Sequence, residues 1–191
     1  TSYEVGFNKM NFNDVKENSW YYKAVNFIAA RSITTGTGNG NYSPMDNITR
    51  SDFLVLIMRA FAIGPDEYPE NNFSDAGNTY YTGYLAAAKR LGITAGIGGN
   101  LYAPDKEITR QEMFTMIYNI LRKLNKLSQS NLQQDVIEFG DADEISSWAR
   151  DAVSMLVKTG VVSGSEGMIN PNNNASRAEM AQLLYNLLSK N

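Results

Sequence analysis

Three arginines carry the clearest indication of chemistry in this chain. Each lies in a copy of one short phrase, with Thr or Ser before it and Asp or Glu two residues after it, and each follows a proline by six residues. A guanidinium presents a planar fork of N–H donors that matches a carboxylate or a phosphate. The pattern therefore indicates an anion-binding position that is repeated three times. The arginines are Arg50, Arg110 and Arg177, after Pro44, Pro104 and Pro171.

Each arginine stands at the first position of a predicted helix. The Thr or Ser before it is a suitable N-cap, and the acid three positions after that cap completes a capping box. The helix dipole is positive at this end and disfavours a cation by a few tenths to about 1 kcal/mol, so each arginine needs a negative partner. The caps are Thr49, Thr109 and Ser176, and the acids are Glu112, Glu179 and the shorter variant Asp52.

Two interpretations of the arginines stay open on the residues alone. In the first, each guanidinium pairs with a carboxylate of the chain, such as the aspartate of a repeated Phe-x-Asp phrase, and ties one repeat to the next. In the second, each arginine faces a groove and, with the free N–H groups of the helix start, receives an anion from outside. The three aspartates of the phrase are Asp14, Asp75 and Asp141.

The elements that position the arginines are repeated as well. Each copy runs from Phe-x-Asp through an aromatic residue and a first amphipathic stretch to a turn rich in Gly and Asn. A second amphipathic stretch follows the arginine, and its apolar residues recur with a period near 3.6. The pattern predicts an all-α chain of three helix-loop-helix repeats. They are 1–66 with its motif from Phe12, 67–126 with its motif from Phe73, and 127–191, a linker and a third repeat from Phe139.

Aromatic residues and glycines stand at matching places in the repeats and could line a binding surface. An aromatic ring can stack on the apolar face of a ligand such as a sugar, and a glycine lets backbone N–H groups come close to it. The same aromatics could equally be ordinary core residues. The aromatics are Trp20, Tyr80, Tyr81 and Trp148, and the glycines are Gly36, Gly96 and Gly164.

The amino-acid composition excludes several classes of function. None of the 191 residues is histidine or cysteine, which excludes His-assisted nucleophiles, His-bound metals and disulfides. The net charge of −3 gives no basic footprint for nucleic acid. The longest apolar run, Phe53 to Met58, is far short of the roughly 20 residues that span a membrane. We expect no cofactor, metal or membrane insertion. The start of the chain shows no signal peptide, so an exported protein would be present as a processed form or an excised piece.

The order of these motifs resembles the S-layer homology domain. The shared features are Phe-x-Asp, an aromatic residue, Ile or Val followed three residues later by Gly, an apolar residue two positions before Pro, and Thr/Ser-Arg-x-Glu/Asp. The resemblance covers the chain from Phe12 to the C-terminus, and three tandem copies are the usual set in that family. The phrase from Ser176 to Glu179 is closest to the family pattern.

The resemblance implies a fold and a function. The fold is a pseudo-threefold spindle, in which the second helices gather into a central three-helix bundle with grooves between neighbouring repeats. Such grooves bind a secondary cell wall polymer, typically through a terminal pyruvylated N-acetylmannosamine. The implied protein is an extracellular module that anchors an attached cargo to the cell wall or S-layer, with the cargo outside this chain.

Carried over position by position, the resemblance implies a ligand-binding set. The arginines would meet the pyruvate carboxylate, the aspartates would accept hydrogen bonds from sugar hydroxyls, the aromatics would pack on the ring, and the glycine turns would offer backbone donors. The set is Arg50, Arg110, Arg177, Asp14, Asp75, Asp141, Trp20, Tyr80, Tyr81, Trp148, Gly36, Gly96 and Gly164.

Departures from the family pattern and competing functions qualify this set. Tyr80 and Tyr81 stand where the family has Trp, so the groove that they line is the weakest of the expected sites. In the first repeat, Asp52 stands where the family has Glu. A module for protein partners or self-association is one alternative. A glycan-active enzyme that uses two carboxylates is a second, although the repeated acids already have structural explanations. The acids from Asp141 to Glu144 lack the glycine and glutamate of an EF-hand calcium loop.

Overall fold

The computed structural model describes residues 11–127 and 136–189, and this part of the chain is helical without strand or sheet. The predicted all-α class is therefore confirmed. Residues 128–135, within the predicted linker, lie outside the description. The helices are α1 (Tyr22–Ala30), α2 (Arg50–Ala60), α3 (Thr82–Leu91), α4 (Arg110–Lys123), α5 (Arg150–Lys158) and α6 (Arg177–Leu188), with short 3₁₀ helices at Val136–Glu138, Ala142–Glu144 and Ser147–Ala149.

The chain divides into two compact units. The first unit comprises Thr1–Asp46 and Ser176–Asn191, and the second comprises Asn47–Ala175. In the first unit α1 packs on α6, and in the second α2 packs on α3 and α4, while α4 packs on α5. The repeat boundaries and the spindle arrangement stay predictions.

The second helix of each repeat begins at its predicted cap. The side chains of Thr109 and Ser176 accept hydrogen bonds from the backbone N–H groups of Glu112 and Glu179, whose carboxylates accept hydrogen bonds from the cap residues in return. The side chain of Thr49 likewise accepts from the N–H of Asp52, at 3.2 Å, but the reciprocal half of the box is not present there. The shorter acid was expected to complete the box, and that expectation is wrong.

Three buried segments of the second unit close a ring of backbone hydrogen bonds. The N–H of Ile48 donates to the carbonyl of Ala175 at 3.0 Å, that of Ile108 to Ile48 at 3.0 Å, and that of Ala175 to Ile108 at 2.9 Å. The three residues hold equivalent places, one position before each cap. Since each residue donates to one neighbour and accepts from the other, the ring fixes the register between segments from three repeats.

Candidate functional site

Arg50 is held from two directions in the second unit. Its Nη1 lies 2.7 Å from Oε1 of Glu112, its Nε donates to the carbonyl of Tyr102 at 2.9 Å, and its side chain is 3% exposed. The guanidinium carbon stands 4.8 Å from the centre of the Tyr102 ring. The internal ion pair is therefore correct for Arg50, but the partner is the capping acid of the following repeat and not the aspartate of a Phe-x-Asp phrase.

Glu112 connects this ion pair to a helix start. Its Oε2 accepts hydrogen bonds from the backbone N–H of Thr109 at 2.8 Å and from the Thr109 hydroxyl at 3.0 Å, while Oε1 faces Arg50. The Nζ of Lys106 lies 3.9 Å from the same oxygen. One carboxylate thus completes the cap of α4 and neutralises the cation at the start of α2.

The three arginines share one backbone anchor. In each, Nε donates to the carbonyl of the residue two positions before the proline: Tyr102 for Arg50, Ile169 for Arg110 at 2.8 Å, and Tyr42 for Arg177 at 2.8 Å. Within its own unit, none of the described carboxylates forms an ion pair with Arg177. The phrase therefore sets the same backbone contact for the arginine in each repeat.

The aspartates of Phe-x-Asp each clamp a turn. Both carboxylate oxygens of Asp14 accept backbone N–H groups, from Tyr42 at 2.8 Å and Ser43 at 2.7 Å. The carboxylate of Asp75 accepts hydrogen bonds from the backbone N–H groups of Tyr102 and Ala103, at 2.8 and 2.7 Å. That of Asp141 accepts them from Ile169 and Asn170, at 2.8 and 2.6 Å. These bonds fix the carbonyl on which each arginine is anchored. Contact of the aspartates with a sugar stays a prediction.

The environment of Asp75 favours its charged form. Partial burial on its own would raise the pKa of Asp75, but the N–H groups of Tyr102 and Ala103 outweigh it, and the pKa of Asp75 falls below its usual value. Burial also raises the pKa of the Tyr102 and Tyr42 phenols, against the opposing charges of Arg50 and Arg177. Each of these phenols donates a hydrogen bond to the carbonyl of its own arginine, at 2.9 and 2.8 Å.

Three of the four aromatics lie on the surface. Trp20, Tyr80 and Trp148 are 58%, 62% and 56% exposed, whereas Tyr81 is buried. A core role is therefore excluded for the three exposed rings and correct for Tyr81. The Tyr80 hydroxyl donates a hydrogen bond to Oδ1 of Asp52. Burial of the phenol, together with that bond and the charge of Asp52, raises the pKa of Tyr80 to about 12.

The repeated spacing of the three turn glycines has a steric cause. Gly36, Gly96 and Gly164 have φ of +84°, +75° and +66°, and a Cβ on any of them would meet a backbone carbonyl and the ring of the repeat's own Phe-x-Asp phenylalanine. The N–H of Gly36 and of Gly96 already donates to a threonine hydroxyl two residues earlier, at 3.1 Å. Val162 stands at that place in the third repeat and has no hydroxyl to accept the N–H of Gly164.

The N–H groups at the helix starts are not free. In the second unit, Arg50 and Ser51 donate to the carbonyls of Lys106 and Pro104 at 2.9 and 3.1 Å. Arg110 and Gln111 donate to Asn173 and Pro171, and in the first unit Arg177 and Ala178 donate to Asp46 and Pro44. The expectation that these groups receive an external anion is therefore wrong. Each proline lies at the end of a turn, and its carbonyl accepts an N–H from the start of a helix in another repeat.

One cleft in the second unit brings predicted residues of three repeats together. Arg50, Gly96 and Trp148 line a cavity of about 480 Å³. The remaining wall of the cavity, which the repeated motifs did not predict, is a stripe on one face of α4 and the turn beside Gly96. The residues of the α4 stripe recur at helical spacing, next to the buried positions of the helix. The helical period of the sequence was therefore a signal that could have identified them. The additional residues are Glu112, Thr115, Met116 and Asn119 on α4 and Ile93, Thr94, Ala95 and Ile97 in the turn.

Two further properties bear on the class of site. Across residues 11–127 and 136–189, no cluster of acidic side chains suited to hold a metal ion is found. In the same described ranges, each helix is too short or too polar to cross a bilayer. The cleft offers an exposed indole, amide and hydroxyl groups on one helix, and an arginine that is already paired. This combination suits a neutral or weakly acidic polar ligand with an apolar face.

Comparison with known sequences places the chain in a family. The sequence model of the S-layer homology domain matches residues 11–54, 72–114 and 138–181. These matches cover more than half of the chain, which therefore belongs to the S-layer homology domain family. It is an anchoring module that is located at the cell surface in association with the cell wall.

Relatives include both enzymes and lattice proteins. The chain is similar to the amylopullulanase of Thermoanaerobacterium thermosulfurigenes, with 34% identity over 94% of this chain and 10% of that protein. It shares 32% identity with the exoglucanase XynX of Acetivibrio thermocellus, over 94% of this chain and 16% of that protein. It shares 27% identity with the S-layer protein EA1 of Bacillus anthracis, over 91% of this chain and 19% of that protein. The chain thus spans a tenth to a fifth of the length of these relatives.

Proposed function

We propose that this chain attaches a surface protein to the cell wall by binding a secondary cell wall polymer that ends in pyruvylated N-acetylmannosamine. The binding is non-covalent and involves no turnover. The observation that carries the proposal is the cleft in the second unit, where Arg50, Gly96 and Trp148 from three successive repeats line one cavity of a size suited to a sugar residue.

The exposed ring of Trp148 is the platform in this proposal. An indole offers a large rigid apolar face at low cost in conformational entropy, and a sugar ring can lie against that face. The amide of Asn119 is fixed, because its Nδ2 donates to the carbonyl of Ile93 at 3.0 Å, and it presents its oxygen as an acceptor for sugar hydroxyls. A fixed acceptor opposite an apolar platform would orient the sugar.

Arg50 supplies the positive charge of the cleft. Of the five N–H donors of a guanidinium, one on Nε donates to Tyr102 and one on Nη1 donates to Glu112, so further donors remain for a ligand carboxylate. Because Glu112 already neutralises Arg50, the pyruvate group adds a second anion beside the pair. We therefore expect the carboxylate to add modest affinity and the sugar ring to supply most of it.

Several binding positions on one chain would strengthen attachment to a repetitive polymer. Linked sites gain about 10²–10⁴-fold in avidity when their geometry permits simultaneous binding. The surface rings of Trp20 and Tyr80 and the arginines Arg110 and Arg177 occupy sequence positions equivalent to those in the cleft. We propose that these positions add to the binding, except that of Tyr80, whose hydroxyl is bonded to Asp52. Attachment of this kind needs no catalytic residue, and we propose that the chain has no glycan-cleaving activity of its own.

Co-sedimentation with purified Gram-positive cell walls tests the proposal. The walls are used native and stripped of secondary polymer, with pyruvylated and unpyruvylated N-acetylmannosamine as competitors. We expect binding that is lost on stripping and competed better by the pyruvylated sugar. Equal binding to both walls would overturn the polymer assignment and favour a protein partner or self-association.

A pair of variants locates the interaction. Trp148→Ala removes the ring in the cleft, and Tyr68→Ala removes a ring that is 83% exposed elsewhere in the same unit. We expect Trp148→Ala to weaken wall binding about tenfold, the scale of a well-placed aromatic contact, and Tyr68→Ala to leave it unchanged. Loss of binding in both variants, or in neither, would remove the cleft from the proposal.

A further inference from the structure

A second groove, in the first unit, has a floor of aromatic rings and a cationic rim. Phe27 on α1 and Tyr185 on α6 pack edge to face with ring centres 5.1 Å apart, and they belong to a cavity of about 310 Å³. Lys23 and Arg31 stand at its edges, and none of the described residues that line it is acidic. The groove contains none of the residues assigned to sugar binding.

In the second unit, the first helix of the second repeat, α3, has a chain segment packed on the face that corresponds to the groove side of α1. Gly83 on α3 is the counterpart of Lys23, 60 residues later, and Pro65 and Asp66 lie close against it. The N–H of Asp66 donates to the carbonyl of Gly83 at 3.1 Å. The carboxylate of Asp66 accepts two hydrogen bonds from Arg90, at 3.1 and 2.6 Å, and Pro65 lies against the helix. A proline–aspartate segment outside regular secondary structure thus occupies the equivalent face in the second unit.

We infer that the groove of the first unit is a docking site for an extended acidic peptide segment with a proline or other apolar residue beside its carboxylate. The apolar residue would lie on Phe27 and Tyr185, and the carboxylate would meet Arg31 or Lys23. Charge complementarity selects this occupant, because the described rim carries two cations and no acid. Arg31 already stacks on Phe27, with its guanidinium carbon 3.5 Å from the ring centre, so the cation is held above the apolar floor.

Titration with a synthetic peptide tests the inference in a direct way. The probe is the heptapeptide of residues 63–69 of this chain, and its matched control has Asn and Gln in place of Asp66 and Glu67. Backbone amide shifts of the full chain are followed by NMR. We expect saturable shifts on α1 and at the end of α6 with the acidic peptide, and affinity weaker by about tenfold with the neutral one.

Charge-reversal variants separate docking from misfolding. Lys23→Glu with Arg31→Glu reverses the rim, while Lys16→Glu reverses an exposed cation of the same unit outside the groove. We expect the double variant to lose peptide binding with its helical circular dichroism unchanged, and Lys16→Glu to bind as the wild type does. Equal affinity for both peptides, shifts confined to α3, or no shifts at all would overturn the inference. These outcomes do not depend on wall binding, which the polymer experiment reads separately.

Discussion

Two equivalent pairs of residues in the second unit behave differently. Trp148 and Glu112 share the cleft, and the glutamate faces Arg50 and its own helix cap. At the matching positions, Tyr80 donates its hydroxyl hydrogen bond to Asp52, and the cap of α2 lacks its reciprocal bond. Both rings are more than half exposed. The difference teaches that the same two positions can hold either an acid paired with an arginine beside an exposed ring, or an acid that accepts a hydrogen bond from the ring itself.

We call the Trp148–Glu112 pair the open pair and the Tyr80–Asp52 pair the latched pair. In the open pair the indole keeps its face and edge available to a ligand. In the latched pair the phenol is tied to the start of α2, so a ligand that approaches the ring meets an occupied hydroxyl and carboxylate. The comparison predicts that the open pair contributes most to wall binding and that its acid contributes most to stability.

Removing the charge of each acid gives the largest expected contrast. Glu112→Gln leaves the buried guanidinium of Arg50 without its counterion, and we expect a loss of about 3 kcal/mol in the free energy of unfolding. Asp52→Asn removes an exposed hydrogen bond, and we expect a loss of at most about 1 kcal/mol. Urea denaturation followed by circular dichroism measures both. Similar losses in the two variants would show that the Arg50–Glu112 pair has no special weight.

Changing the ring of the open pair should reduce binding and leave stability unchanged. Trp148→Tyr places the smaller ring of the latched pair in the cleft, and we expect wall binding to weaken by about three- to tenfold because less apolar area lies against the sugar. Co-sedimentation at several protein concentrations gives the affinity. The matched control is Tyr80→Phe, which removes only the latch and should change wall binding by less than about twofold.

The reverse exchange should convert the latched pair into an open one. The double variant Tyr80→Trp with Asp52→Glu carries the residues of the open pair at both positions. We expect it to bind one more molecule of pyruvylated N-acetylmannosamine than the wild-type chain, as measured by isothermal titration calorimetry. If the wild type binds and the double variant shows the same stoichiometry, the two residues do not determine whether the position takes a ligand.

The sequence predicted the elements well because the repeat itself is a strong local signal. The N-caps Thr49, Thr109 and Ser176 fixed where the second helices begin, and the apolar period fixed which faces are buried. The partner of Arg50 could not be predicted from the sequence, since Glu112 lies 62 residues away and the ion pair depends on how two repeats pack together. The free helix-start N–H groups were wrongly predicted for the same reason, because the carbonyls of Pro104 and Pro171 come from another repeat. Spacing within a repeat is local information, whereas these contacts are tertiary.

Low pH should destabilise the folded chain through Asp75, whose carboxylate holds the turn that anchors Arg50. The pKa of Asp75 is lower in the folded chain than in the unfolded chain, so its contribution to stability is fully present above the unfolded value, near 4, and is lost as pH falls through the folded value. We expect wild-type stability to fall below about pH 4, and Asp75→Asn to show a lower but flatter profile there. Urea midpoints from about pH 2 to about pH 7 measure both. Parallel profiles would mean that other carboxylates control the acid transition.

High pH should remove the hydrogen bond of the latched pair by deprotonating Tyr80. We expect this change to have the smallest effect on stability in the series. The folded-state pKa of Tyr80, about 12, is above the usual phenol value, so the contribution of the phenol is fully present below about pH 10 and is lost as pH rises towards 12. Asp52→Asn removes the negative charge and the charged acceptor, and it should lower the pKa of Tyr80 towards its usual value. Ultraviolet difference titration against Tyr80→Phe isolates this one phenol. If Asp52→Asn leaves the pKa of Tyr80 unchanged, the two residues are not latched in solution, and the distinction between the two pairs then rests on ring type alone.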